Sequence, residues 1–137
     1  MGFFSKFIHP LFILTNTNAL RLMQYNVEWL FIDYYKSADC PGNGCTWHNE
    51  TVAYDHLHQL ATIIDDINPD IMNVCEVEGI NELNMLQESL KYNDYNTYLI
   101  KGTDTSTGQN VGLISKLAPN SELNRTENRE SYPVPFS

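Results

Sequence analysis

The feature that most constrains this chain is a helical pattern that stops at Asn68-Pro69 and passes directly into an apolar, strand-forming run. Over residues 51–67 the apolar side chains recur every three or four positions, as in a helix that buries one face. Asparagine-proline disfavours further helix. Residues 71–75, IMNVC, are typical of a buried strand. A helix leading into a buried strand is a building unit of layered α/β folds.

The remaining patterns extend this unit on both sides. "LRLMQYNVEWLF", residues 20–31, predicts an earlier strand, and "NELNMLQESL", residues 81–90, predicts a second helix with Asn81 as its N-cap. "TYLI" and "VGLIS", residues 97–100 and 111–115, predict two more short strands. We therefore expect the order strand, helix, strand, helix, strand, strand, in an α/β fold whose helices cover a sheet.

Composition and charge narrow the class of protein. The 137 residues fit one domain, and 42% hydrophobic and 12% aromatic residues exclude a disordered chain. The net charge is −9, from 8 Lys and Arg against 17 Asp and Glu. Such a chain offers no broad basic surface to a phosphate backbone. Nucleic-acid binding would therefore need a metal ion or a local basic patch.

The N-terminal residues divide the chain into a short leader and one domain. We expect residues 1–19 to be a signal peptide or an unstructured N-terminus, and residues 20–137 to form the domain. The apolar run at 7–14 is too short to cross a bilayer, so we expect no transmembrane segment. We expect a secreted or extracellular protein, with a soluble intracellular protein as the alternative.

Two cysteines and two sequons agree with secretion. Cys40 and Cys45 flank a Pro-Gly-Asn-Gly turn, and we expect them to form a disulfide. Asn49-Glu50-Thr51 and Asn124-Arg125-Thr126 predict glycosylation at Asn49 and Asn124.

A zinc site is the alternative use of these cysteines. Cys40 and Cys45 with His48 and His56 supply the right kinds of ligand, but their spacing departs from the usual zinc patterns. A disulfide is the simpler interpretation. Cys75 lies in the apolar run, and we expect it to be a buried free thiol.

Two polar residues interrupt the apolar strands and require a reason. Burying an amide or a carboxylate without partners costs about 1–3 kcal/mol or more. Asn26 and Glu76 lie near the C-terminal ends of their strands, where open α/β sheets bind ligands. If the strands are neighbours, the two side chains meet and suit Mg²⁺, which would polarise a phosphate ester. Glu78 is better interpreted as a solvated acid at the strand end.

Three stretches together resemble a known superfamily. "LRLMQYNVEWLF", "ATIIDDINPDIMNVCEVEGINELNML" and "GTDTSTGQNVGLISK" resemble, in that order, the first half of the endonuclease/exonuclease/phosphatase (DNase I-like) superfamily, over residues 20–116. The resemblance implies a two-sheet α/β sandwich, truncated before its C-terminal half. It also implies cleavage of phosphate esters with Mg²⁺, Mn²⁺ or Ca²⁺, and Asn26 and Glu76 as catalytic metal-binding residues. DNA, RNA, phospholipids and inositol phosphates are the candidate substrates.

The loop at residues 102–110 has two interpretations. The resemblance places it beside the metal, where Asp104, Gln109 or Asn110 would contact substrate phosphate or orient a catalytic partner. A turn-rich hairpin loop whose Asn and Asp side chains cap its own backbone is the alternative. Both interpretations stay open on the sequence alone.

The proton-transfer motifs of the superfamily do not occur in this sequence. The resemblance implies a later Asp-x-Asn and a Ser-Asp-His, yet neither follows Lys116, and all four histidines precede Glu76. One hypothesis is a metal-dependent nuclease or phosphodiesterase that is incomplete, and inactive as this chain alone. The other is a non-enzymatic secreted or interaction protein that keeps the N-terminal half of the fold.

Overall fold

Strands and helices follow one another in the order that the sequence predicts. The structure is a computed structural model that describes residues 19–32, 49–104 and 107–125. These residues form a mixed α/β fold with one four-stranded mixed sheet and two helices. In chain order the elements are β1 (Leu22–Leu30), α1 (Glu50–Ile67), β2 (Ile71–Val77), α2 (Ile80–Glu88), β3 (Asn96–Leu99) and β4 (Asn110–Ser115).

β2 and β4 are the two inner strands of the sheet. The strand order is β1-β2-β4-β3, with β1 and β2 parallel and the other neighbouring pairs antiparallel. The parallel pair is connected through α1, as parallel strands require a crossover. The C-terminal ends of β1 and β2 therefore lie at the same edge of the sheet.

Both helices pack on one face of the sheet and bury the core there. Full burial of each large apolar side chain contributes about 1.5–3 kcal/mol. α2 packs closely against β4 at Gly112, where an added Cβ would lie 2.8 Å from Cδ2 of Leu83. The fully buried core side chains include Val27, Leu30, Leu57, Ile64, Met72, Val74, Leu83, Leu86 and Ile114.

The opposite face of the sheet is partly open. Alternate residues of each strand point to this face, away from the helices. Leu22 is 70% exposed and Val111 is 64% exposed, although both lie within strands. The register aligns three rows across this face: Leu22, Ile71, Ser115 and Asn96; then Gln24, Asn73, Leu113 and Tyr98; then Asn26, Cys75 and Val111.

The helix ends show one correct and one wrong prediction. Asn68 ends α1 in the left-handed conformation, with φ 48° and ψ 60°, and its N–H donates to the carbonyl of Ile64, as a helix stop there requires. The predicted N-cap of α2 at Asn81 is wrong, because the N-cap is Gly79. A Cβ at Gly79 would lie 3.2 Å from Oε2 of Glu82, so a larger residue at the N-cap would crowd that carboxylate.

Several predictions fall on residues that the structure does not describe. Cys40, Cys45 and His48 lie outside the described residues, and so do residues 1–18. Cys75 is a free thiol as predicted, but it is half-buried, because it lies on the partly open face. None of the helices in the described part of the chain is long and apolar enough to cross a bilayer.

Candidate metal centre

The structure brings Asn26 and Glu76 together. The parallel register of β1 and β2 sets Asn26 opposite Cys75, one residue before Glu76. Nδ2 of Asn26 donates a hydrogen bond to Oε1 of Glu76 at 2.7 Å. Asn26 is exposed and Glu76 is half-buried, so the pair is accessible from solvent. The burial predicted from the sequence is therefore wrong for both side chains, because they lie on the partly open face and at the bulge.

Glu76 lies in an irregularity of the sheet that involves both of its neighbours. The β1 register moves from Asn26 opposite Cys75 to Leu30 opposite Val77, and the β4 register shifts between Cys75 and Val77. Glu76 itself has φ 67°, in the left-handed region. A non-glycine residue in such a conformation costs about 1–3 kcal/mol. Bulges of this kind redirect a side chain and are frequent beside functional sites.

The matching bulge in β1 fixes the orientation of the Asn26 amide. Glu28 and Trp29 also have positive φ, 48° and 61°. Oδ1 of Asn26 accepts a hydrogen bond from the N–H of Glu28 at 2.8 Å, which forms an Asx turn. Exchanging the amide oxygen and nitrogen would set oxygen against the Glu76 carboxylate and donor against donor at Glu28. Both contacts therefore support the orientation described.

Two side-chain oxygens of the pair could serve as ligands of a hard divalent cation that keeps several waters. Among the described residues, Glu76 makes one hydrogen bond, through Oε1, which leaves Oε2 available as a ligand. Oδ1 of Asn26 has a second lone pair besides the one directed at Glu28. Mg²⁺ is commonly held by one or two carboxylates, with water and substrate phosphate completing the shell. The described residues contain no group of three or more His, Cys, Asp and Glu side chains able to hold a metal ion.

Asn110, the first residue of β4, has a structural role. Its side chain is buried, and Oδ1 accepts a hydrogen bond from the N–H of Gly102 at 2.5 Å. Its Nδ2 donates to the carbonyls of Glu78, Gly108 and Val77, at 2.7, 3.0 and 3.3 Å. The amide is thus engaged by main chain on both sides. For Asn110, this geometry favours capping over the predicted contact with substrate.

The structure does not bring Asp104 or Gln109 into contact with the Asn26–Glu76 pair through a hydrogen bond. The Asp104 carboxylate is exposed and accepts hydrogen bonds from the hydroxyl and the N–H of Thr107, so it caps a turn of its own loop. Gln109 is half-buried. In the part of the chain that the structure describes, neither side chain makes a hydrogen bond to Asn26 or Glu76.

Glu78 differs from the solvated acid that the sequence predicts. It is half-buried, and its N–H donates to the carbonyl of Leu30 at 3.1 Å, where the β1 register resumes. The nearby carboxylate of Glu82, which sequence analysis missed, is buried. Both belong to an open pocket of about 400 Å³, lined by Glu78, Gly79, Ile80, Asn81, Glu82, Leu99, Lys101 and Asn110.

His56 is a second residue that sequence analysis missed as part of this region. Its Nε2 lies 2.6 Å from the carbonyl oxygen of Val27, in the β1 bulge. A carbonyl oxygen can only accept, so Nε2 carries the proton. The zinc interpretation of His56 with Cys40, Cys45 and His48 involves residues outside the described ranges and stays a prediction.

The two sequon asparagines are accessible in different settings. Asn49 is exposed and is the N-cap of α1, where its Oδ1 accepts a hydrogen bond from the N–H of Val52 at 3.1 Å. Asn124 is also exposed. Glycosylation at both stays a prediction.

No family model matches the chain, and no curated protein or solved structure is significantly similar to it.

Proposed function

We propose that this chain belongs to the endonuclease/exonuclease/phosphatase superfamily, with Asn26 and Glu76 as the Mg²⁺ ligands of a phosphoric ester hydrolase. The observation that carries this proposal is the hydrogen-bonded pair on two bulged strands, with φ 67° at Glu76. Backbone strain of this kind persists only where the surroundings enforce it, and it is concentrated at functional sites.

A purely structural role does not explain the pair well. A hydrogen bond between two accessible side chains contributes about 0.5–1.5 kcal/mol, or somewhat more to a charged group. Three non-glycine residues of this region, Glu28, Trp29 and Glu76, have positive φ. Each such residue costs about 1–3 kcal/mol. The hydrogen bond between Asn26 and Glu76 therefore stabilises the fold by less than the three positive φ angles cost. This difference favours a functional reason for the geometry.

The roles of the two residues follow from their chemistry. Glu76 supplies an anionic oxygen, and Asn26 supplies a neutral oxygen while its Nδ2 holds the carboxylate in place. A bound divalent ion would polarise the phosphate ester and stabilise the charge that develops during attack. The chain's net charge of −9 repels phosphate, so a nucleic-acid substrate would be bound mainly through the metal.

The complete fold under this proposal is a two-sheet α/β sandwich. The helices cover one face of the described sheet. The other face is partly open, and Leu22 and Val111 are exposed on it. Ile71 and Leu113 lie on the same open face. A second sheet packed there would bury these apolar side chains.

Thermal unfolding with and without MgCl₂ tests the metal site. At about 100 times its Kd, a ligand that binds only the folded state adds about 2.7 kcal/mol to the free energy of unfolding. We expect Mg²⁺ to raise the Tm of the wild type but not of Asn26→Ala or Glu76→Ala. Gln24→Ala is the matched control, because Gln24 is exposed on the same strand and face as Asn26. If Mg²⁺ does not change the Tm of the wild type, the non-enzymatic alternative is favoured.

Hydrolysis of bis(p-nitrophenyl) phosphate tests the chemistry separately. We expect almost no turnover by these 137 residues, because the sequence lacks the Asp-x-Asn and Ser-Asp-His motifs that the resemblance implies. Mg²⁺-dependent turnover that Glu76→Ala abolishes would show that other residues of this chain supply the proton transfer.

A further inference from the structure

We propose that His56 is a positioning residue for the Asn26–Glu76 pair, acting through one peptide group of the β1 bulge. The inference rests on the proposed function, because it treats this pair as the metal site. His56 contacts neither the pair nor a substrate in this account. Its effect is transmitted by the main chain between Val27 and Glu28.

The peptide group that joins Val27 to Glu28 is held at both ends. Its oxygen lies 2.6 Å from Nε2 of His56, and its N–H donates to Oδ1 of Asn26 at 2.8 Å. No peptide bond among the described residues is cis, so this group is planar and its C=O and N–H point in opposite directions. Fixing the oxygen on the α1 side therefore directs the N–H toward Asn26.

Without its hydrogen bonds, we expect this peptide group of the bulge to rotate. No residue of β2 lies opposite Val27, because the register passes from Asn26 directly to Leu30. Val27 is also fully buried, so its carbonyl requires another donor. Glu28, the next residue, has φ 48°. Rotation of the peptide plane would relieve that strained torsion and would remove the hydrogen bond to Asn26.

The helix that carries His56 is a firm support. Leu57 and Ala53 of α1 are buried in the core on either side of His56 in sequence. The imidazole therefore extends from a fixed position to Val27. His58, on the same helix, is exposed and provides the matched control.

Amide hydrogen exchange at Glu28 tests the inference without requiring metal. The variants are His56→Leu, which removes the donor, and His56→Gln, which keeps a donor of similar reach. We expect His56→Leu to accelerate exchange at Glu28 about 10-fold relative to Val74 in the core, as a local opening does. His56→Gln should restore most of the protection, and His58→Leu should change nothing. His56→Ala replaces His56→Leu if the leucine variant does not fold.

Mg²⁺ affinity provides the functional readout in the same variants. Loss of a residue that orients a metal ligand typically weakens binding about 10–100-fold. We expect His56→Leu to weaken Mg²⁺ binding at least about 10-fold, with recovery in His56→Gln.

Three results would overturn the positioning role. These are unchanged exchange at Glu28 in His56→Leu, equal acceleration at Glu28 and Val74, or unchanged Mg²⁺ affinity. If the wild type binds no Mg²⁺, the proposed function fails, and the exchange data still decide whether His56 holds the peptide group.

Discussion

Nδ2 of Asn26 lies 2.7 Å from Oε1 of Glu76, a residue fifty positions later in the chain. The contact joins two parallel strands at the point where the register of both becomes irregular. Glu76 itself has positive φ, and so do Glu28 and Trp29, which follow Asn26 in the chain. The candidate site is thus created by backbone irregularity as much as by the two side chains.

The strain at Glu76 predicts that glycine at this position is more stable than alanine. Glu76→Ala and Glu76→Gly both remove the hydrogen bond to Asn26, but only glycine relaxes at φ 67°. Alanine at positive φ is strained by more than the entropy it saves. We expect Glu76→Gly to exceed Glu76→Ala by about 1 kcal/mol in free energy of unfolding, measured by urea denaturation. Equal stability, or a more stable alanine variant, would show that the backbone is unstrained there.

Replacing Asn110 distinguishes a structural role of this residue from a role in substrate binding. Asn110→Ala removes the hydrogen bonds that its side chain makes to the N–H of Gly102 and to the buried carbonyl of Val77. Unsatisfied buried groups cost about 1–3 kcal/mol each, so we expect a loss of about 3 kcal/mol in free energy of unfolding. Gln109→Ala should change it by less than about 0.5 kcal/mol. If Asn110→Ala keeps full stability and loses only substrate binding, the capping role is wrong.

Gly112 allows α2 to approach β4. In Gly112→Ala the new methyl group would lie 2.8 Å from Cδ2 of the fully buried Leu83. Overpacking of this kind costs about 1–3 kcal/mol. We expect Leu83→Ala, itself destabilising, to remove most of the penalty of Gly112→Ala in a double-mutant cycle followed by thermal unfolding. Additive effects of the two substitutions would contradict this contact.

Tyr95 predicts a loss of stability at high pH. Burial, followed by the charges of Asp94, Asp70 and Asp65, raises its pKa from 10.0 to about 12. Its hydroxyl donates to the carbonyl of Pro69 at 2.6 Å. Because the folded-state pKa is the higher one, the neutral phenol stabilises the fold fully below pH 10, and this contribution is lost as pH rises through about 12.

The matched variant for this titration is Tyr95→Phe. It should be less stable than the wild type at neutral pH, because it lacks the hydrogen bond to Pro69. Its urea midpoint should fall less steeply than that of the wild type as the pH rises from 10 to 12. The same slope in both proteins would assign the alkaline transition to other groups.

Periodicity and local signals were sufficient to predict the elements. The helical spacing predicted α1 to within one residue at its start, and Asn68 ends it as expected. The four predicted strands are all present, with ends shifted by at most two residues. These features depend on neighbours in sequence, which is why a pattern can reveal them.

The irregular parts of the site could not be predicted in this way. Positive φ at Glu28, Trp29 and Glu76 has no glycine signal, because it is imposed by pairing with residues far along the chain. The insertion of β4 between β2 and β3 is likewise a long-range choice. The contact of His56 with Val27 lies outside the periodic apolar face of α1 and leaves no mark in the sequence pattern.

The most direct test of the central claim is calorimetric titration of the folded protein with Mg²⁺. We expect one ion per chain for the wild type and no detectable binding for Glu76→Gln, which keeps the size of the side chain but removes its charge. Gln24→Ala should bind as the wild type does. A wild type that takes up no Mg²⁺, or a Glu76→Gln variant that binds it equally well, would contradict the assignment of Asn26 and Glu76 as a metal site.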